Sequence, residues 1–318
     1  MTGALPPKIK KRNRRSGHIR TSPDDRAVVI VSTVLTILMI LVCFYPFWFT
    51  FLTSITALQA GQHAAFLFPS SPTFKIYAQV LKDGTVFHGM MISAFRVIIS
   101  TTCTVIFTSM FAFLMTRDNM PGRKIIYRYA IITMYVSGGL IPGYIVMRTY
   151  GLFNDFFVYV VPGLVSMFFV ILTKTFIESL PPEMEEAARV DGTGFMSTFL
   201  RIILPLSTPI LATIAIFTAV GAWNSYMDNY MYVQNLNLQT VQMILYNYVV
   251  RAQQMVNLMR GAMAGGGNGV SAAQAATMVT PDTIRTATTI VSVIPIMLIY
   301  PFLQKYFAKG IMMGAVKG

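Results

Sequence analysis

The chain has 318 residues, 54% of them hydrophobic and 12% charged, with a formal net charge of +13. Soluble domains carry about 25% charged residues, so this composition excludes an ordinary soluble fold and points to one embedded in lipid. Nucleic-acid binding is set aside as well, because the positive charge is distributed by side of a membrane, as the order of the segments shows.

Residues 1–26 form a basic tail holding eight of the 25 Lys and Arg residues. Such a tail is expected to rest against anionic headgroups. A helix needs roughly 20 apolar residues to cross the bilayer core. Six stretches qualify: Ala27–Thr53, Met90–Met115, Tyr129–Met147, Phe156–Thr173, Ile202–Trp223 and Thr286–Gln304. Lipid offers backbone amides no partners, so these spans are predicted to be helices. The alternating ten-residue segments of a barrel are absent. Ala27–Thr53 is too long for the core of a cleaved signal, which runs about 7–15 residues. Cys43 and Cys103 fall inside spans and read as small packing residues.

With both termini inside, eighteen Lys and Arg lie inside, six lie outside and Arg96 lies within a span. That asymmetry fixes the predicted orientation. Arg96 stands near the outer end of its span, where it either snorkels to the interface or lines a polar cavity. In the third span, Ser137–Gly143 (SGGLIPG) predicts a kink. Glycines there permit close helix packing or a bend that lines a pathway. Residues 54–89 read as an outside loop, partly helical, and residues 224–285 as a long outside loop. The latter carries the run Gly261–Gly269 (GAMAGGGNG), whose composition predicts flexibility.

The inside stretch from Pro181 to Leu206 is acidic and marked by alanine and glycine. Pro181 and Pro182 suit a helix start, and Glu183, Glu185 and Glu186 suit the positive end of its dipole. Ala187 and Ala188 favour the helix and leave room for a close neighbour. Asp191-Gly192 ends it, with glycine free to take a left-handed cap. Phe195, Phe199, Ile202 and Ile203 then mark one face of a second helix. The whole predicts two helices joined by a glycine elbow on the inner face.

The residues Glu186-Ala187-Ala188, Asp191-Gly192, Phe199, Ile202, Leu204-Pro205-Leu206 and Pro209 resemble the EAA loop of permease subunits of binding-protein-dependent ABC importers. Ala222–Val233 (AWNSYMDNYMYV) and Phe302–Gly318 resemble the maltose-type carbohydrate-uptake permeases. LPPEMEEAARVDGTG and SGGLIPGYIV are similar to a subgroup that imports oligosaccharides released from complex polysaccharides. Thr193 departs from the alanine common at its position. The resemblance implies an all-α integral membrane protein with a type I ABC importer permease fold, six transmembrane helices and both termini cytoplasmic. A tail of residues 1–26 precedes a transmembrane domain, 27–318, in the cell membrane.

The resemblance further implies that residues 181–206 couple to an ATPase, with Glu186, Ala187, Ala188, Asp191, Gly192, Leu204 and Pro205 as the coupling residues. The implied partners are an ABC ATPase dimer, a second homologous permease forming a heterodimer, an extracytoplasmic sugar-binding protein and the bilayer. Arg96, Trp223 and Asn224 are candidates for the substrate pathway. Gly265, Gly266 and Gly267 are candidates for a loop that contacts the binding protein. No catalytic residue or metal site is expected, and ATP and Mg enter only through the ATPase partner. The chain lacks the G-x-x-x-x-G-K-[ST] phosphate loop.

Two other classes fit these residues poorly. An intramembrane enzyme finds no support, because the histidines His18, His63 and His88 stand apart and neither H-E-x-x-H nor G-x-S-x-G occurs. An ion-coupled transporter would place carboxylates within its spans, and these spans hold none.

Overall fold

The structure is a computed structural model that describes residues 23–56, 68, 72–82, 84–190, 192–264 and 281–315. Among them the secondary structure is helical, with a single isolated β-bridge between Thr56 and Pro72.

The chain divides at Phe49 and Thr50 into two units. The first helix, α1 (Pro23–Ile55), belongs to both. Its part before Thr50 exposes Val28 through Val42 almost without interruption. Such a surface is stable only in an apolar solvent.

In the second unit, α2 (Lys75–Lys82) is the short helix expected in the first outside loop. It buries Ile76 and Val80, and the Tyr77 hydroxyl lies 2.6 Å from Ser54 Oγ. Burial pushes the Tyr77 phenol above its usual range, and the Ser54 hydrogen bond offsets part of that rise.

The central element is α3 (Thr85–Met115), which packs against α6 (Met167–Glu178), α10 (Thr208–Asn224) and α12 (Val241–Ala264). Its pattern inverts that of a soluble helix. Ser93, Arg96, Ser100, Thr104 and Thr108 are buried, while Phe87, Phe95, Ile98 and Phe107 are exposed. Small and polar residues let membrane helices approach and bond. The buried stripe bonds to neighbouring backbone at irregular places. Thr104 donates to the Gly163 carbonyl at 2.8 Å, and Ser93 accepts from the Val241 amide at 2.9 Å. These groups lie where a 3-10 turn and a helix start leave peptide groups without helical partners.

Two candidate spans differ in detail from the sequence expectation. The third candidate span is two helices, α4 (Arg123–Tyr135) and α5 (Leu140–Thr149), separated at Val136–Gly139. The fourth is a pair of 3-10 turns, Phe156–Tyr159 and Val161–Gly163, followed by α6 at a bend of 47°. Proline and glycine at Pro162-Gly163 account for the short turns. Among the described residues, three helices are long and apolar enough to cross a membrane, and up to five if each bent pair counts as one.

The stretch 224–285 is also less of a loop than its composition suggested. It holds α11 (Met227–Tyr232) and the 24-residue α12. Val241 and Ile244 of α12 join a core with Val86, Trp223 and Ala287, and Tyr248 packs against it. The approach is close: a Cβ on Gly89 of α3 would stand 2.4 Å from Ile244 Cδ1 and 3.2 Å from the Val241 amide nitrogen. The last described helix, α13 (Pro281–Ala315), packs on α10 and α12.

Candidate functional site

The predicted elbow is present. Helix α7 (Glu183–Val190) starts with Glu183, Glu185 and Glu186 in its first turn. Glu185 and Glu186 both donate their amides to the Pro182 carbonyl at 3.0 Å. Gly192 takes φ +69°, and nothing lies within 4 Å of where a Cβ would stand. Its need for glycine is therefore conformational and not a matter of space.

Thr193, the departure noted in the sequence, is built into the turn. Its amide and its hydroxyl both donate to the Ala188 carbonyl, at 3.0 and 2.6 Å. Its hydroxyl oxygen also lies 3.1 Å from Thr198 Oγ1. The last carbonyls of α7 would otherwise lack partners.

After the elbow, α8 (Phe195–Thr198) runs into one wide π turn, Phe199–Ile203, then α9 (Leu204–Leu206). The Leu204 amide donates five residues back, to Phe199. Pro205 has no amide hydrogen to continue the regular ladder. The axis then turns by 79° between Phe195–Leu206 and α10. From Phe195 through the fifth candidate span the chain is thus one continuous bent lever.

The lever is tied to α3. The Phe113 ring of α3 lies 4.7 Å from that of Phe195 and 5.2 Å from that of Phe199, tilted by 34° and 31°. Arg117, just past the end of α3, sits 4.0 Å over the Phe113 ring and forms an ion pair with Glu185 of α7. Phe113, Arg117, Glu185, Thr193, Phe195 and Thr198 line an open cavity of about 420 Å³. The sequence reading missed Arg117 and Phe113. They lie on a different segment, and only folding brings them to the elbow.

The predicted coupling residues separate by environment. Glu186 is exposed, whereas Ala188 is buried at 3% exposure against its own chain. Met184 and Val190 are exposed apolar residues on the same helix, Val190 at 87%. Ala187 lies on α7, and Asp191 lies outside the described residues. Gly192 makes the elbow, while Leu204 and Pro205 sit in the lever.

At the opposite end of α3, Arg96 is 3% exposed and paired with Asp228 of α11, so it does not snorkel. It also donates to the Ser225 carbonyl at 3.2 Å and lies 4.6 Å from the Tyr159 ring centre. Ser225 Oγ donates to the other Asp228 oxygen at 2.9 Å. These contacts tie Arg96 of α3 to α11. Trp223 is also buried, with its indole donating to the Ser292 carbonyl at 3.1 Å. Asn224, at the end of α10, is exposed. Gly265, Gly266 and Gly267 lie outside the described residues. No cluster suited to a metal occurs among the described residues.

Residues 90–313 match the family described as the inner membrane component of binding-protein-dependent transport systems. The chain belongs to this family. As a permease of this kind it resides in the cytoplasmic membrane, is non-catalytic, and relies on a partner ATPase for ATP hydrolysis. The permease is 33% identical to "Protein LplC" of Bacillus subtilis over 261 residues, covering 82% of this chain and 84% of the relative. It is 31% identical over 252 residues to "Polygalacturonan/rhamnogalacturonan transport system permease protein YtcP" of the same organism, covering 79% and 84%. A chain from the crystal structure of a bacterial ABC transporter involved in the import of the acidic polysaccharide alginate superposes with TM-score 0.77. That match has 26% identity and covers 90% of this chain and 98% of the other.

Proposed function

We propose that this permease is one half of the membrane pathway of an ATP-driven importer of oligosaccharides. The observation that carries this reading is the lever from Glu183 through Asn224, anchored to α3 by Arg117 and Phe113. An ATPase dimer engages the exposed side of α7, where Glu183, Met184, Glu186 and Val190 are open. Movement there reaches α10 through the elbow and the π turn, whose Phe195 and Phe199 lie against Phe113 of α3 while α10 packs along the same helix. A second, homologous permease completes the pathway, and an extracytoplasmic binding protein delivers the sugar.

Six spans with both termini inside agree with the eighteen-to-six charge asymmetry. In this orientation the elbow is cytoplasmic. Helix α3 has 31 residues, so its far end lies about 46 Å away at 1.5 Å per residue. On this reading His88, α11 and the start of α12 lie outside. The sugar assignment is supported by the two polysaccharide-linked relatives. Another solute class is the second reading.

The test is gentle extraction of the tagged chain from its native membrane, followed by mass spectrometry. An ABC ATPase and a second permease should accompany it. A stable, homogeneous preparation of the chain alone would refute the importer reading. Competition for uptake between labelled oligosaccharides, amino acids and peptides then tests the solute class.

A further inference from the structure

One cavity is used by none of the devices above. It lies at the end of α3 away from the elbow, has a volume of about 480 Å³, and is lined by Thr85, His88, Asn237, Gln239, Tyr248 and Arg251 among others. Small-molecule sites commonly run about 300–1,000 Å³. Its lining holds a guanidinium, an imidazole, two amides, a hydroxyl and a phenol, and no carboxylate. Arg251 is exposed and, like Arg128, Arg148 and Arg201, makes no ion pair among the described residues; unlike those three, it lines a cavity.

The walls are fixed. His88 donates from Nε2 to the Asn237 carbonyl at 2.8 Å, tying the start of α3 to the turn before α12. The Asn235 side chain accepts from the Asn237 amide at 3.0 Å and shapes that turn. Ile244, which carries the same stretch of α12 as Tyr248 and Arg251, is held against Gly89 and buried. Arg251 therefore stands on a helix whose position is set by its own packing.

We propose that this cavity is a binding site for a carboxylate borne by a sugar, with Arg251 as the carboxylate partner and Asn237, Gln239 and Tyr248 facing sugar hydroxyls. The planar guanidinium fork matches a carboxylate with two parallel hydrogen bonds. Amides and a phenol are the neutral donors and acceptors that sugar hydroxyls require. An uncharged sugar would leave the guanidinium without its match. The proposal rests on the oligosaccharide reading and on the orientation given above, and it deepens them by naming acidic oligosaccharides as the cargo. The site is an outer reception point, distinct from any site deeper in the membrane.

The test uses the extracted complex with its own partner subunits, in nanodiscs of phosphatidylcholine, which keep anionic headgroups out of the assay. The probes are trigalacturonate and its fully methyl-esterified form, titrated by calorimetry without binding protein. Wild type should bind the acid at least about tenfold more tightly than the ester, since hydrogen bonds to charged groups are the strong ones. Arg251→Gln should abolish that preference, and Arg251→Lys should keep part of it. Arg148→Gln, a substitution outside the cavity, should leave it intact.

Equal binding of acid and ester, or an unchanged preference in Arg251→Gln, overturns the site while leaving sugar import standing. So does the absence of sugar binding in a complex whose Arg251→Gln form loses stimulation by its binding protein. In that case the arginine serves a protein contact. If the wild-type complex, supplied with its binding protein, transports neither acidic nor neutral oligosaccharides, the sugar reading itself falls.

Discussion

Arg117 and Glu185, 68 residues apart, meet as an ion pair at the root of the elbow, and the Arg117 guanidinium carbon lies 4.0 Å from the Phe113 ring centre in the same contact. One residue closes α3 and the other opens α7. The pair therefore ties the helix expected to face the ATPase to the central helix of the bundle.

This contact should behave as a unit. Arg117→Glu and Glu185→Arg should each reduce uptake by more than about tenfold, because each sets like charges together in a partly enclosed place. The double exchange should recover most of the loss. Uptake and ATPase activity of the reconstituted complex, with membrane abundance as the control, make the comparison. Independent losses that simply add would remove the case for a direct coupling contact.

The elbow tests conformation against chemistry. At φ +69° an ordinary side chain costs about 1–2 kcal/mol, and asparagine less. Uptake should fall in the order glycine, Gly192→Asn, Gly192→Ala, Gly192→Val. Thr193→Ser should match wild type, and Thr193→Val should weaken coupling, since it removes the hydroxyl bond to the Ala188 carbonyl. A Gly192→Val protein that transports normally would show that the bend is not needed.

Arg96 is predicted to be structural. Asp228→Ala strands a buried guanidinium, and the cost should fall near the low end of about 3–5 kcal/mol because the Asp228 side chain is a third exposed. The melting temperature of the detergent-solubilised complex should drop for Asp228→Ala and for Arg96→Ala, with sugar preference unchanged in the surviving fraction. A shift in preference without a loss of stability would return Arg96 to the transport pathway.

The adjacent pair Trp223 and Asn224 should divide the same way. Trp223→Ala should cost about 3–5 kcal/mol by emptying a packed site, whereas Trp223→Phe should lose little beyond the indole hydrogen bond. Asn224→Ala should leave thermal stability unchanged and alter the rate of uptake more than the choice of sugar. Thermal melts and competition uptake separate the two.

The residues alone determined a great deal about this permease. Apolar runs of membrane length, the segregation of basic residues and the chemistry of the elbow are local properties, set by transfer into lipid, by helix capping and by the left-handed freedom of Gly192. They are therefore legible in order along the chain. The same local logic misjudged what depends on contact. Glycine and proline at 137–143 and 162–163 signalled irregularity, but not that one span would divide into α4 and α5 or that another would begin as 3-10 turns. The stretch after Trp223 read as a loop because its polar residues hid the face of Val241, Ile244 and Tyr248 that packs against the bundle.

The tertiary structure alone decided which polar groups meet. By sequence Arg96 suits an interface before a cavity, and only the fold sets Asp228, 132 residues away in sequence, beside it. Ala188 looked like a docking surface until it proved buried against its own chain, leaving Met184, Glu186 and Val190 outward. Pairing of distant charges and the choice of a helix's inward face are set by packing across the bundle, and no period or composition along the chain encodes them.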